Sequence, residues 1–176
     1  VKFAGLYWRI IRTNHDGSIR LLYVGTSHDT TTGNIGESEF NTNINSPKYV
    51  GYMYGTSGSL ANNRLNTNNS SIKDKIDTWY EQNMTSYTKY LSTTAVYCND
   101  RSTSDNKYFG AYTRLDTNKT PTYDCEATED KFTADTSTGN GKLTYPIALM
   151  TADEVSFAGG LWLTNASTWY YYNSAK

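Results

Sequence analysis

Apolar and polar positions fall into blocks along this chain, and the blocks differ in period. Residues 7–13 (Tyr7, Trp8, Arg9, Ile10, Ile11, Arg12, Thr13) and 18–24 (Ser18, Ile19, Arg20, Leu21, Leu22, Tyr23, Val24) are rich in aromatic and β-branched side chains and flank Asn14-His15-Asp16-Gly17. Two such runs around an Asp-Gly pair predict a β-hairpin, because glycine accepts the positive φ of a tight reversal. Residues 25–47 are Thr, Ser, Asn and Gly without a period and read as a long surface loop, with Ile35 and Phe40 as its anchors. Residues 49–55, from Tyr49 to Gly55, then read as an aromatic strand with glycine at a bulge or a close approach.

The period changes to helical after residue 70. Ser71 with Asp74 three residues on is a weaker relative of the capping box, and Ile72, Ile76, Trp79 and Tyr80 follow at i, i+4, i+7 and i+8. This predicts an amphipathic helix packed on a sheet, with Lys73, Asp74, Lys75, Asp77 and Glu81 facing water. Residues 93–98 and 108–115 read as short strands on either side of a polar turn, and residues 118–141 as loop. Residues 143–150 predict a strand that enters a short helix. Thr151 and Glu154 form a full capping box there, Val155 and Ala158 share a face, and Gly159 is placed as the C-terminal cap. From Leu161 onward the chain is aromatic and carries no charge before Lys176. A strand so rich in rings needs a partner, and another part of the protein or a second molecule is expected to cover it.

Composition adds a surface character to this picture. A chain of 176 residues suits one domain, 1–176, and with 37% hydrophobic residues the 16 Tyr, 4 Trp and 5 Phe must supply much of the burial. Asn, Thr and Ser make up about a third of the chain against 19% charged residues, a balance more typical of surface-exposed proteins than of cytosolic enzymes. The net charge is −1 and the cations are scattered, so neither nucleic acid nor an anionic membrane surface is expected as a partner. No stretch is apolar for long enough to insert in a membrane.

Candidate chemistry is sparse. Cys98 and Cys125 are distant in sequence from each other and from His15 and His28, so no metal-ligand spacing exists and no structural zinc or other metal site is expected. The cysteines are either a disulfide, formed in an oxidising compartment, or two buried thiols. The polar, loop-like segment between them favours the bridge as a staple worth about 3–4 kcal/mol. Neither histidine lies in a nucleophile-elbow context, and Asp153-Glu154 is better suited to capping a helix than to acid–base work. Asn99-Asp100 and Asp105-Asn106 have oxygen ligands suitable for calcium but no regular loop spacing, and are read as turns. The Asn-x-Ser/Thr tripeptides at Asn68, Asn69, Asn83, Asn118 and Asn165 are expected by chance in so Asn- and Thr-rich a chain.

The order of features from Tyr145 to Gly160 is apolar strand, Thr cap, acidic pair, aromatic, small residue and Gly-Gly. It resembles the matching segment of formylglycine-generating-enzyme-like proteins, a branch of the C-type-lectin fold. With Tyr7-Trp8-Arg9-Ile10-Ile11-Arg12, Tyr49-Val50-Gly51-Tyr52-Met53-Tyr54-Gly55-Thr56 and Tyr97-Cys98-Asn99-Asp100-Arg101, the whole chain is similar to gut-bacterial surface and prophage proteins of that fold. Some relatives of the fold carry a variable binding surface diversified by retroelements.

The resemblance implies an α+β, C-type-lectin-like domain with two helices, short antiparallel strands and long loops. It also implies an extracellular, cell-surface or virion-surface location. The implied role is a ligand-binding or adhesive module, not an enzyme, without a cofactor, whose ligand is a protein or glycan on another cell or phage host. In the family, a Trp-Trp motif and further strands follow the Gly-Gly helix. Trp162 and Trp169 are not adjacent, so the domain is expected to lack its C-terminal part. Trp162, Trp169, Tyr170, Tyr171 and Tyr172 are then the candidate ligand-binding residues. A structural alternative is a pilus-like or tail-fibre component that self-associates through the C-terminal aromatic segment. A formylglycine-generating-type oxidase is the weakest reading: its reactive cysteine pair, which works with copper, lies after the Gly-Gly helix, whereas no cysteine or histidine follows Gly160 here.

Overall fold

The predicted hairpin is the longest sheet element. The computed structural model describes residues 1–14, 16–29, 33–41, 51–55, 59–102 and 110–158. In it, β1 (Lys2–Phe3), β2 (Leu6–Thr13) and β3 (Ile19–Gly25) form an antiparallel sheet in the order β1-β2-β3. Ala4 and Gly5, at φ 55° and 75°, make the reversal between β1 and β2. The β2–β3 turn closes through Gly17 at φ 83° and through Asp16, whose Oδ1 accepts from the Ser18 amide at 2.9 Å and the Ser18 hydroxyl at 2.6 Å. The register shifts between Ile10 and Arg12, and beyond that shift Arg12 stands opposite Arg20. Like charges across a ladder repel. A carboxylate from elsewhere in the chain resolves this pair, as described below.

The loop after β3 is laid directly on the strand. A Cβ at Gly33 would fall 1.2 Å from the Val24 carbonyl oxygen, so only glycine permits the approach. Of the expected anchors, Ile35 packs against the core, whereas the Phe40 ring is exposed and only its carbonyl is engaged, accepting from the Ser71 amide at 2.8 Å. Of the aromatic run at 49–55, Met53–Tyr54 forms strand β4, while Tyr49 and Val50 lie outside the described residues. A short helix, α1 (Leu60–Asn63), leads to β5 (Asn68–Asn69), which pairs antiparallel with β4.

Helix α2 (Ser71–Asn83) carries the predicted apolar stripe, with Ile76 and Tyr80 buried and Ile72 and Trp79 packed beside them. Its cap is Ser70, one residue before the expected Ser71. The Ser70 hydroxyl accepts from the Lys73 amide at 3.2 Å and donates to the Tyr52 carbonyl at 2.6 Å. Lys73, expected in water, is buried at 1% exposure. Its ammonium donates to Asp77 at 2.5 Å and to Thr144 at 2.9 Å, because residues near 144 pack over the face that the helical pattern left polar. A 3-10 helix, Thr85–Tyr90, continues from α2.

The remainder departs further from the sequence reading. Of the strand expected over 93–98, only β6 (Tyr97–Cys98) forms, paired antiparallel with β7 (Lys131–Phe132), which follows a 3-10 turn at Thr128–Asp130. The strand expected over 108–115 is helical where it is described. Thr113–Thr117 is a π-helical turn closed by the Asn118 amide on the Thr113 carbonyl at 2.9 Å. Residues 143–150 run without a ladder partner among the described residues. They are fixed instead by single bonds such as that of the Leu143 amide to the Thr133 carbonyl at 3.0 Å. Helix α3 (Ala152–Phe157) begins with the predicted capping box: Thr151 Oγ1 accepts from the Glu154 amide at 3.2 Å, and Glu154 Oε2 from the Thr151 amide at 2.9 Å. Gly159, the expected cap, lies outside the described residues.

Two buried clusters result. One gathers Tyr52, Met53, Ile76, Phe132 and Leu143; the other gathers Trp8, Tyr80 and Met84, with Trp79 and Tyr23 packed against it. Helix α2 contributes Ile76 to the first and Tyr80 to the second, so it is the spine shared by both. The molecule is thus α+β, with few helices and small antiparallel sheets. No helix among the described residues is long and apolar enough to cross a membrane.

Candidate functional site: an arginine-ended groove

Beyond the apolar clusters, three buried carboxylates hold arginines from distant parts of the chain: two each on Asp130 and Glu154, one on Asp153. Asp130 takes the Arg101 Nε at 2.8 Å, the Arg101 amide at 2.9 Å and Arg64 Nη2 at 3.2 Å. Arg101 also donates to Asn66 Oδ1 at 2.9 Å and to the Glu129 carbonyl at 2.8 Å. Burial lowers the proton affinity of Arg101 below the usual arginine range, against the pull of Asp130. The bridge between Cys98 and Cys125 lies beside this group, with the Cα atoms 5.5 Å apart and both residues buried.

Asp153 holds Arg114 in a fork, Nε to Oδ1 at 3.0 Å and Nη2 to Oδ2 at 2.7 Å, and accepts from the Thr122 amide at 2.8 Å. Asp100 lies on the other side of Arg114 at 3.3 Å. Burial alone would lower the Arg114 pKa, but the hydrogen bond to Asp153 and the charges of Asp153, Asp100 and Asp130 outweigh it and raise the pKa. Asp153 and Glu154 are therefore structural, as expected from their helix position. Glu154 completes the capping box, while Asp153 pins loop residues to α3.

Glu154 is also the carboxylate that separates the opposed arginines of the hairpin. Arg20 approaches it through Nε at 3.0 Å and Nη2 at 3.2 Å, and Arg12 through Nη2 at 3.7 Å. Each guanidinium lies over a ring: Arg20 is 3.6 Å from the Tyr97 centroid and Arg12 is 4.2 Å from that of Tyr123. Tyr123 in turn stacks on Phe157 of α3 at 4.1 Å. The Tyr97 hydroxyl donates to the Pro146 carbonyl at 3.0 Å, and burial raises its pKa while Arg20 works in the opposite direction.

Arg12 and Arg20 line one part of a groove of about 570 Å³ between the hairpin, the segment at 90–97 and the segment at 146–148. Phe3, Leu21, Leu91, Val96 and Ile147 line its apolar walls. A volume of this order suits a small ligand. A second cavity, of about 280 Å³, is lined in part by Tyr52, Arg101 and Phe132. The buried Tyr52 hydroxyl has no hydrogen-bond partner among the described residues, and burial, reinforced by Asp77, holds it far above the usual tyrosine range.

The candidates read from sequence divide sharply. Cys98 and Cys125 are joined. Trp162, Trp169, Tyr170, Tyr171 and Tyr172 lie outside the described residues, as do His15 and Asp105-Asn106. His28 is exposed beside Asp29. Asp100 forms a turn with the Ser102 amide at 2.8 Å, in keeping with the turn reading. No group of three or more His, Cys, Asp or Glu residues that could hold a metal occurs among the described residues. The groove itself went unread in the sequence. Its one local signal is the presence of Arg12 and Arg20 in otherwise apolar strand runs.

Comparison with known proteins gives no family: no family model, no curated protein and no solved structure matches the chain.

Proposed function

We propose that this chain is an extracytoplasmic ligand-binding or adhesive module, with its loops displayed on a C-type-lectin-like scaffold and its ligand a protein or glycan on another cell or phage host. The observation that carries this reading is the pinning of irregular segments. The Cys98–Cys125 bridge, the Arg101–Asp130 group and the Arg114–Asp153 fork fix loop residues to the interior. Loops already ordered before contact lose less freedom on binding, which is what a recognition surface requires. A buried bridge is also compatible with an oxidising, extracellular setting. The two cysteines carry a structural role in this reading, since both are taken up by the bridge.

The test is saturable binding of the oxidised full chain to a glycan array and to intact bacterial cells. Binding that disappears after reduction and alkylation supports the reading, and no binding to any glycan or cell surface refutes it. A second reading, self-assembly, is favoured by β3, which among the described residues lies at the sheet edge, and by Ile10 and Ile19, which are 48% and 45% exposed. Sedimentation at micromolar concentration distinguishes the two, because an assembly component associates there and an adhesive monomer does not.

A further inference from the structure

Going beyond the adhesive reading, we infer that the groove between the hairpin and residues 146–148 is a binding site for a free amphiphilic organic anion, one with an apolar body and a single carboxylate or similar head group. Three observations converge on that chemistry. Among the described lining residues, the charged ones are Lys2, Arg12 and Arg20, so the groove carries cations and no carboxylate although the chain as a whole has a net charge of −1. Among the described residues, Arg12 and Arg20 share one carboxylate, Glu154, which leaves one positive charge in excess there. Their side chains are only 15% and 10% exposed, where a charge is poorly screened by water. The buried Nε of Arg12 has no hydrogen-bond partner among the described residues.

The rest of the lining fits the body of such a ligand. Phe3, Leu21, Leu91, Val96 and Ile147 present apolar surface, while the uncharged hydrogen-bonding side chains include Asn14, Ser18 and Ser92. A sugar needs a hydrogen-bond partner for most of its hydroxyls, and apolar walls would leave them unpaired. An alkyl or ring body gains from the same walls. The head group is placed at the arginines, where it completes the charge balance that Glu154 leaves unfinished.

Calorimetry on the oxidised full chain tests this with decanoate, decanol and decyltrimethylammonium, each below its aggregation concentration. Decanoate is expected to bind about tenfold or more tighter than decanol, a difference of about 1.4 kcal/mol, and the ammonium to bind weakest. Ala95→Phe adds a ring to the lining without changing its charge and is expected to weaken decanoate about tenfold. Lys2→Glu, at an exposed position, serves as the variant least able to disturb folding; it is expected to narrow the preference of decanoate over decanol about two- to threefold. Equal affinity for decanoate and decanol, or no binding of any probe, overturns the proposal. Decanoate binding that neither substitution changes also overturns it, as does a preference for anionic phospholipid vesicles over monomeric decanoate, which would mark a membrane contact instead.

Discussion

The hairpin with α2 and the region from 97 to 158 solve the same problem by different means. In the first, rings do the packing. Trp8 meets Tyr23 and Trp79 edge-to-face at centroid distances of 5.4 and 6.3 Å, and Tyr23 meets Trp79 at 5.1 Å. In the second, regular structure is scarce, and a bridge and two arginine groups join points far apart in sequence: Cys98 to Cys125, Arg101 to Asp130 and Arg114 to Asp153. Area burial is non-directional and tolerates repacking, whereas a buried ion pair depends on both partners being present. The first region should therefore yield gradually to substitution, and the second abruptly.

The largest expected effect comes from Asp130→Ala, which strands Arg101 and leaves Arg64 without its partner. A loss of about 3–5 kcal/mol in urea denaturation is expected, and Asp130→Leu combined with Arg101→Met should recover much of it. If the single substitution costs less than about 1 kcal/mol, the group is not the anchor described here. Next, Cys98→Ala with Cys125→Ala should cost about 3–4 kcal/mol and bring the second region to the first's cooperativity or below it, read by hydrogen exchange at residues 97–102 and 110–132. In the ring-packed region, Ser70→Ala removes the α2 cap and a bond to Tyr52, with an expected loss of about 1–2 kcal/mol.

The smallest effect is expected at Tyr52→Phe, within about 0.5 kcal/mol at neutral pH, because the hydroxyl it removes has no hydrogen-bond partner among the described residues. This variant carries a pH signature. Burial raises the folded-state pKa of Tyr52 and Tyr97 above the unfolded value of about 10, so the folded form holds these protons more tightly. Their contribution is intact below about pH 10 and is lost as the pH rises beyond it. Denaturation midpoints should fall as the pH rises above about 10, and less steeply in Tyr52→Phe.

The contrast between the regions also explains what could be read in the chain. The hairpin, the stripe of α2 and the capping box at Thr151 depend on neighbours within a few residues, so their pattern is local and legible. The helical period places Lys73 in water because it says nothing about which segment will cross it, and Thr144 lies 71 residues away. The segment expected as a strand at 108–115 has β-type composition. The arginine it carries, Arg114, is claimed by Asp153, 39 residues on, and the backbone there takes a helical turn. The groove was illegible for the same reason: Glu154 joins Arg20 across 134 residues. Cysteine counting reached the bridge because it considers two residues at any separation.

That bridge has a further consequence for how the molecule would age outside a cell. Cys98 and Cys125 close a covalent ring whose ends are 27 residues apart in sequence. A protease that cut once inside the ring would open it without releasing either part. The two pieces would stay linked as one species of nearly unchanged mass, separating on a gel only after a reductant is added.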